Sequence, residues 1–409
     1  MPTTYNRRLI TILAIVFVNM VGAAMILPIL PLYALGTFNL PEALITPIIS
    51  SFFVAQLFAG PVLGRLSDRY GRLPILIVSQ IGTVASFVMI GLANTAWLLL
   101  VARVIDGITG GNIIVAQAYM TDVTPREKRT QTLGYIFAIF GLGFVIGPAL
   151  GGELSARFGP RIPFFIAAGL AALTLALTVL FLDESLTPEQ KQSNRVYRSV
   201  SLAPRQVLRN RALVRILLVT FFAQFGMGIV HSTFALWGNA VIYAGEPEAV
   251  VLRSIGFMLA TIGLTQFLVQ STLLPRLLKR ISEPVLVFGG NLVRIVASVL
   301  FAVARVPSVA YAGSVLLPLG VGVMMPPLQS MATNTVEDEL RGGVLGVHQS
   351  VVSLAIIAGT GIGGTLFTLS PAAPFWVAAA VGLLAIPPAV AVLRNAPGTG
   401  PQKVLAQAD

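Results

Sequence analysis

Arg103 and Asp106 stand three residues apart inside a long apolar stretch, so on a helix they share a face and partly neutralise each other. An ionisable group within lipid is costly and is functional by default. Burial and the neighbouring guanidinium act on the Asp106 carboxyl in opposite senses, so a rearrangement that changes their separation changes its proton affinity. The chemistry open to this pair is reversible proton binding. Arg103 also lies close enough to the outer end of its stretch to snorkel and act as an anchor. Glu153, near the end of another stretch, is either a second proton carrier or a hydrated rim residue. His231 lies deep in a third, where it either titrates near neutral pH or donates one hydrogen bond as a neutral ring. Arg294, midway along a fourth, calls for water, Asp106 or a solute as its partner.

Uncharged polar residues extend this set. Asn19, Gln56, Gln224, Asn291 and Gln329 offer hydrogen bonds within apolar sequence, and Phe221, Phe222, Phe225, Trp237 and Met324 offer apolar contacts. A lining that mixes the two suits a small amphiphilic solute.

Groups at such depth need membrane-spanning elements to hold them. Of the 409 residues, 56% are hydrophobic and 11% charged, where an ordinary soluble domain carries roughly 25% charged residues. Mean hydropathy is +0.85. Apolar stretches fall at 9–34, 44–63, 73–94, 97–121, 131–154, 162–182, 212–237, 251–275, 284–306, 308–333, 342–368 and 372–394. Each can cross a hydrocarbon core of about 30 Å as a helix. The short alternating segments of a β-barrel are absent. The first stretch is too long, and too plainly followed by others, for a cleaved signal peptide. The expectation is an all-α integral membrane protein with twelve transmembrane helices.

An even number of spans puts both termini on one side, and Lys and Arg say which. They crowd the tails and the loops after the even-numbered spans, leaving only Arg157, Arg161 and Arg305 in the opposite loops. By the positive-inside rule both termini are cytoplasmic. The net charge of +11 then follows from topology, and no nucleic acid is expected as a partner. With no cysteine and two histidines, neither a disulfide nor a zinc site is expected. No Walker A sequence, metal-ligand cluster or nucleophile–base pair occurs, so no cofactor, no metal and no enzymatic activity are expected. The polar segment 183–211 reads as a cytoplasmic linker between an N-terminal six-helix bundle at 1–182 and a C-terminal one at 212–394, with a cytoplasmic tail at 395–409. Two bundles around a central site are what an alternating-access carrier needs.

The loop after the second span reads GRLSDRYGR at 64–72. A glycine-relieved turn there sets Asp68 among basic residues and near a helix end, where Arg or free N–H groups can hold it. Gly64, Leu66, Ser67, Asp68, Arg69, Gly71 and Arg72 resemble the loop signature of the major facilitator superfamily, lacking only its final basic residue, where Leu73 stands. The resemblance implies the two-bundle major facilitator fold and a loop that pins the halves together on the cytoplasmic side in one conformation. Asp122, Arg126, Lys128 and Arg129 are placed to join that charge network.

The fifth span holds a second pattern. Gly143 and Gly147 form a small-xxx-small face that permits close helix approach. Pro148 has no N–H to offer the carbonyl one turn earlier, so a kink is expected. Gly134, Gly143, Gly147, Pro148, Gly151 and Gly152 together resemble the antiporter signature of drug:proton exporters. A looser signature is visible in Arg103, Gly107, Gly110 and Gly111, and the order of motifs looks most like the twelve-span tetracycline and multidrug exporters. Where tetracycline exporters carry acids in spans 1, 3 and 9, this chain has Asn19, Ser86 and Arg294. At 275–283 the second half keeps the basic residues of the 64–72 loop and loses its acid. The resemblance implies a proton-coupled exporter of small amphiphilic compounds in a bacterial inner membrane, working as a monomer among lipid. The alternative is a proton-coupled carrier of a defined polar metabolite such as a sugar or organic anion, with Arg103 and Arg294 as anion clamps.

Overall fold

The computed structural model describes residues 2–110, 112–124, 129–186, 207, 209–336 and 341–394. Arg126, Gly111, most of the linker and the tail at 395–409 lie outside the described residues, and Gly134 is described only as part of its helix.

The N-terminal half runs α1 (Pro2–Ile26), α2 (Ile29–Phe38), α3 (Glu42–Tyr70), α4 (Arg72–Leu92), α5 (Ala96–Thr109), α6 (Asn112–Val123), α7 (Arg129–Phe158) and α8 (Ile162–Phe181). The C-terminal half runs α9 (Arg211–Trp237), α10 (Glu248–Leu268), α11 (Leu274–Leu278), α12 (Glu283–Val303), α13 (Pro307–Thr333), α14 (Arg341–Leu369), α15 (Ala373–Leu384) and α16 (Ile386–Arg394). Among the described residues nine helices are long and apolar enough to cross a membrane, or ten if α1 and α2 form one bent span. The chain is an all-α, multi-pass membrane protein. Each apolar stretch carries helix, but not always one piece. The stretch 9–34 bends by 40° between α1 and α2, beside Pro28. The stretch 251–275 passes through a π-helical turn at Val269–Leu273, and 372–394 breaks at Ala385.

Local chemistry sets these boundaries. Thr95 and Asn210 cap α5 and α9, accepting hydrogen bonds from Leu98 N (3.2 Å) and Leu213 N (3.1 Å), each worth about 1 kcal/mol. Gly71 joins α3 to α4 at φ 115°, a conformation that side chains resist.

Helix packing differs between the two ends of the molecule. In lipid there is little hydrophobic drive between helices, so close fit decides what associates. α7 packs on α1 in its own half and on α10 in the other, and α3 packs on α14. One buried cluster combines residues of both halves, such as Tyr33, Ile45 and Phe164 with Trp237, Ile255 and Phe375. Toward the end that carries the 64–72 and 275–283 loops, the cores separate. Ile12, Leu76 and Tyr119 belong to a cluster of the N-terminal half alone, and Leu217, Val344 and Val392 to one of the C-terminal half alone. Among the described residues the halves share a core at one end only.

Candidate functional site

α3, α4 and α5 converge on the Arg103–Asp106 pair. Gly107 of α5 lies directly on the Phe52 carbonyl of α3, and Gly82 of α4 on Thr109 of α5, leaving no room for a Cβ at either position. At this approach Arg103 Nη1 donates to Asp106 Oδ2 at 2.6 Å. The guanidinium carbon lies 4.5 Å from the centre of the Phe52 ring, a cation–π contact that supports a desolvated cation. Ser86 Oγ of α4 is 3.4 Å from Asp106 Oδ1. Both charged residues are buried, and Arg103 turns toward Asp106 instead of snorkelling outward. Breaking a buried pair by removing one partner costs about 3–5 kcal/mol, so neither group is dispensable while the other stays charged.

The charged loop is organised by Arg72. Its side chain reaches Asp68 Oδ1 at 2.6 Å, Ser67 Oγ at 2.7 Å and Asp122 Oδ2 at 2.9 Å, while its backbone N–H donates to Glu184 Oε1 at 2.9 Å. Ser185 Oγ donates to the same Asp122 oxygen at 3.1 Å. These described partners belong to the N-terminal half and to the first residues after α8. Glu184 and Ser185 escaped the sequence reading, since only folding brings the end of α8 beside the α3–α4 turn. Arg69 is exposed, its guanidinium 5.2 Å from the Tyr70 ring. Gly64 has open space where a Cβ would stand.

The glycines of α7 serve two neighbours. A Cβ on Gly143 would fall 2.6 Å from Met20 Cβ, and one on Gly147 would fall 2.8 Å from Val21 O, both on α1. Gly151 abuts Met25 O of the same helix. Gly152 faces the other half instead, where a Cβ would fall 2.5 Å from Leu252 O and 3.1 Å from Gly256 Cα on α10. Pro148 lies within the helix, and its carbonyl meets Gly256. Glu153, one residue on, pairs with Arg157 and with Arg253 of α10 at 2.6 Å. It sits at a partly exposed rim and bridges the halves.

The remaining candidates disperse. Arg294, expected to meet water, Asp106 or solute, is buried and donates to Ala223 O at 2.8 Å and Asn291 Oδ1 at 3.0 Å. Asn291, expected to bind solute, donates to Gly382 O at 3.0 Å. The two form a brace joining α12 to α9 and α15, because α12 packs its polar face inward against those helices. Trp237 is likewise withdrawn, packed on Phe301 and Phe375, and Met324 is buried. His231 is exposed although mid-helix, and shares a face with half-buried Gln224. Gln329 is exposed, and half-buried Gln56 donates to Gly110 O at 3.2 Å. Half-buried Asn19 meets buried Gln80 across a cavity of about 20 Å³. His348, buried with Nε2 3.2 Å from Thr220 Oγ1, was overlooked. Its place near the start of the apolar stretch 342–368 resembled ordinary core.

Comparison with known proteins places these features in context. The sequence profile described as "Major Facilitator Superfamily" matches residues 12–251 and 247–408. The class C tetracycline resistance protein of Escherichia coli is 32% identical over 357 residues, covering 87% of this chain and 88% of that protein. Multidrug resistance protein 2 of Bacillus subtilis is 25% identical over 384 residues, covering 92% and 93%. Among solved structures, the nucleoside transporter NupG superposes with a TM-score of 0.81 at 13% identity, covering 94% of this chain and 99% of that one. At that identity the likeness concerns the fold alone.

Proposed function

The chain belongs to the major facilitator superfamily, a family of membrane transporters and not of enzymes, and from that premise we propose that it is a proton-coupled exporter of small amphiphilic compounds. It works by alternating access as a monomer, with twelve helices in two six-helix bundles and both termini in the cytoplasm of a bacterium. The observation that carries this reading is the double contact of α7. Its antiporter-type glycines seat it on α1, while Gly152 presses it on α10 of the other half. A helix so placed transmits a change in one bundle to the interface between bundles. Relatives called tetracycline and multidrug resistance proteins, over most of the chain, support export of amphiphiles.

The unequal sharing of core between the two ends supports a conformation closed on the outer side and parted on the cytoplasmic side. In this reading His231, Gln224 and Gln329 contact solute, Asp106 carries the coupling proton, and Arg103 holds the carboxyl in place. Asp68, Arg72 and Asp122 brace the cytoplasmic ends of the N-terminal bundle. The test is transport in proteoliposomes against a panel of cationic and neutral amphiphiles, with and without an imposed proton gradient. Gradient-dependent accumulation of several amphiphiles is expected. Accumulation indifferent to the gradient would sink the exchanger, and uptake of one sugar or organic anion with no amphiphile moved would replace it with a metabolite carrier.

A further inference from the structure

Ser86 is fully buried on α4, and its hydroxyl lies between two acceptors, Thr83 O at 2.9 Å and Asp106 Oδ1 at 3.4 Å. One hydroxyl carries one proton and can serve only one of them at a time. The other carboxyl oxygen of Asp106, Oδ2, is held by Arg103 Nη1 at 2.6 Å. Arg103 has no acceptor to offer, so a proton arriving at Asp106 settles on Oδ1, the oxygen that faces Ser86.

From this geometry we propose that Ser86 is a positioning residue for the coupling proton, a hydroxyl rotor with two settings. This rests on the reading of Asp106 as the proton carrier. With Asp106 ionised, Ser86 donates its hydrogen to Oδ1. With Asp106 protonated, the new Oδ1–H donates to Ser86 Oγ, and the hydroxyl hydrogen of Ser86 turns to the Thr83 carbonyl. One proton enters, none leaves, and both states keep every hydrogen bonded without moving a heavy atom.

The surroundings leave this position to Ser86. The Thr83 hydroxyl is committed to Ser79 O at 3.1 Å. Arg103 and Asp106 are the charged groups at this point, and the face that α3 presents is the Phe52 ring. A neutral hydroxyl at Ser86 leaves Asp106 as the single carboxyl of the cluster among the described residues.

Infrared difference spectroscopy of the full chain in liposomes, after a pH jump, tests the rotor. The carboxylic C=O band that disappears in Asp106→Asn belongs to protonated Asp106. In Ser86→Ala, which removes one oxygen atom, that band is expected to move to higher frequency because Oδ1–H has lost its acceptor. Ser86→Thr restores the hydroxyl and is expected to return the band to its wild-type position. A merely structural serine would leave the band in place in all three proteins. An Asp106 band present in wild type and unmoved in Ser86→Ala overturns the rotor alone. Absence of any Asp106-dependent band in wild type overturns both the rotor and the coupling role beneath it.

Discussion

Arg253 on α10 holds Glu153 on α7 with two hydrogen bonds, 2.6 Å from Nε and 3.2 Å from an Nη, one residue beyond the point where Gly152 meets Gly256. A two-pronged guanidinium–carboxylate contact fixes orientation as well as distance. Both side chains are partly exposed, so the pair adds little to folding stability. Its leverage lies in joining the two halves at the rim, beside the close backbone contact of α7 with α10.

Glu153→Gln is therefore expected to fold normally and to raise exposure of the end where the halves share a core. Alkylation of a cysteine introduced at Ile255, buried in the shared core, would report it. Raising the ionic strength should produce the same shift in the parent protein, since exposed charges are screened. Labelling unchanged by either treatment would leave the pair without a gating role.

Two glycines in one helix should fail in different ways. Gly147→Ala forces a methyl group against α1, within one half, and is expected to lower thermal stability in detergent by about 1–3 kcal/mol. Gly152→Ala crowds α10 instead and should spare folding while shifting the molecule toward the state in which α7 and α10 part. Thermal unfolding and double electron–electron resonance across α7 and α10 separate the two effects. Equal loss of stability in both variants would contradict the division.

The contact between α3 and α14 carries a register. Ser50 Oγ donates to Ile357 O at 3.1 Å, and Thr46 Oγ1 donates to Gly361 O at 3.4 Å. Continued toward the end that carries the 64–72 loop, this antiparallel register brings Leu57 opposite Ser350 and Pro61 opposite Gly346. Gly346, like Gly64, has open space around it here. Cysteines at Leu57 and Ser350 are expected to crosslink only when that end closes. Crosslinking of Leu57 with Val347 at equal yield would refute the register.

The Arg294–Asn291 brace makes a prediction opposite to that of a binding site. Asn291→Leu leaves a buried guanidinium N–H unpaired and removes one of the two donors to the Gly382 carbonyl, which should cost about 1–3 kcal/mol. Solute affinity per folded molecule should be unchanged. Isothermal titration alongside thermal unfolding would decide, and lost affinity with intact stability would return both residues to the solute.

What the sequence alone determined is what lies within reach along one helix or one charge pattern. Apolar runs longer than a bilayer is thick dictate membrane helices. The three-residue spacing of Arg103 and Asp106 makes them one pair wherever the helix goes, and the spacing of Gly143 and Gly147 makes a close-contact stripe before its partner is known. Tertiary structure decided which face meets which neighbour. It folded Arg294 and Asn291 into a brace, although mid-span polar residues carry no local sign of whether they turn to a solute or to another helix. It left His231 exposed. Glu153 and Arg253, and Arg72 and Glu184, were paired across long stretches of chain by helix packing, and helical periodicity extends no further than the helix itself.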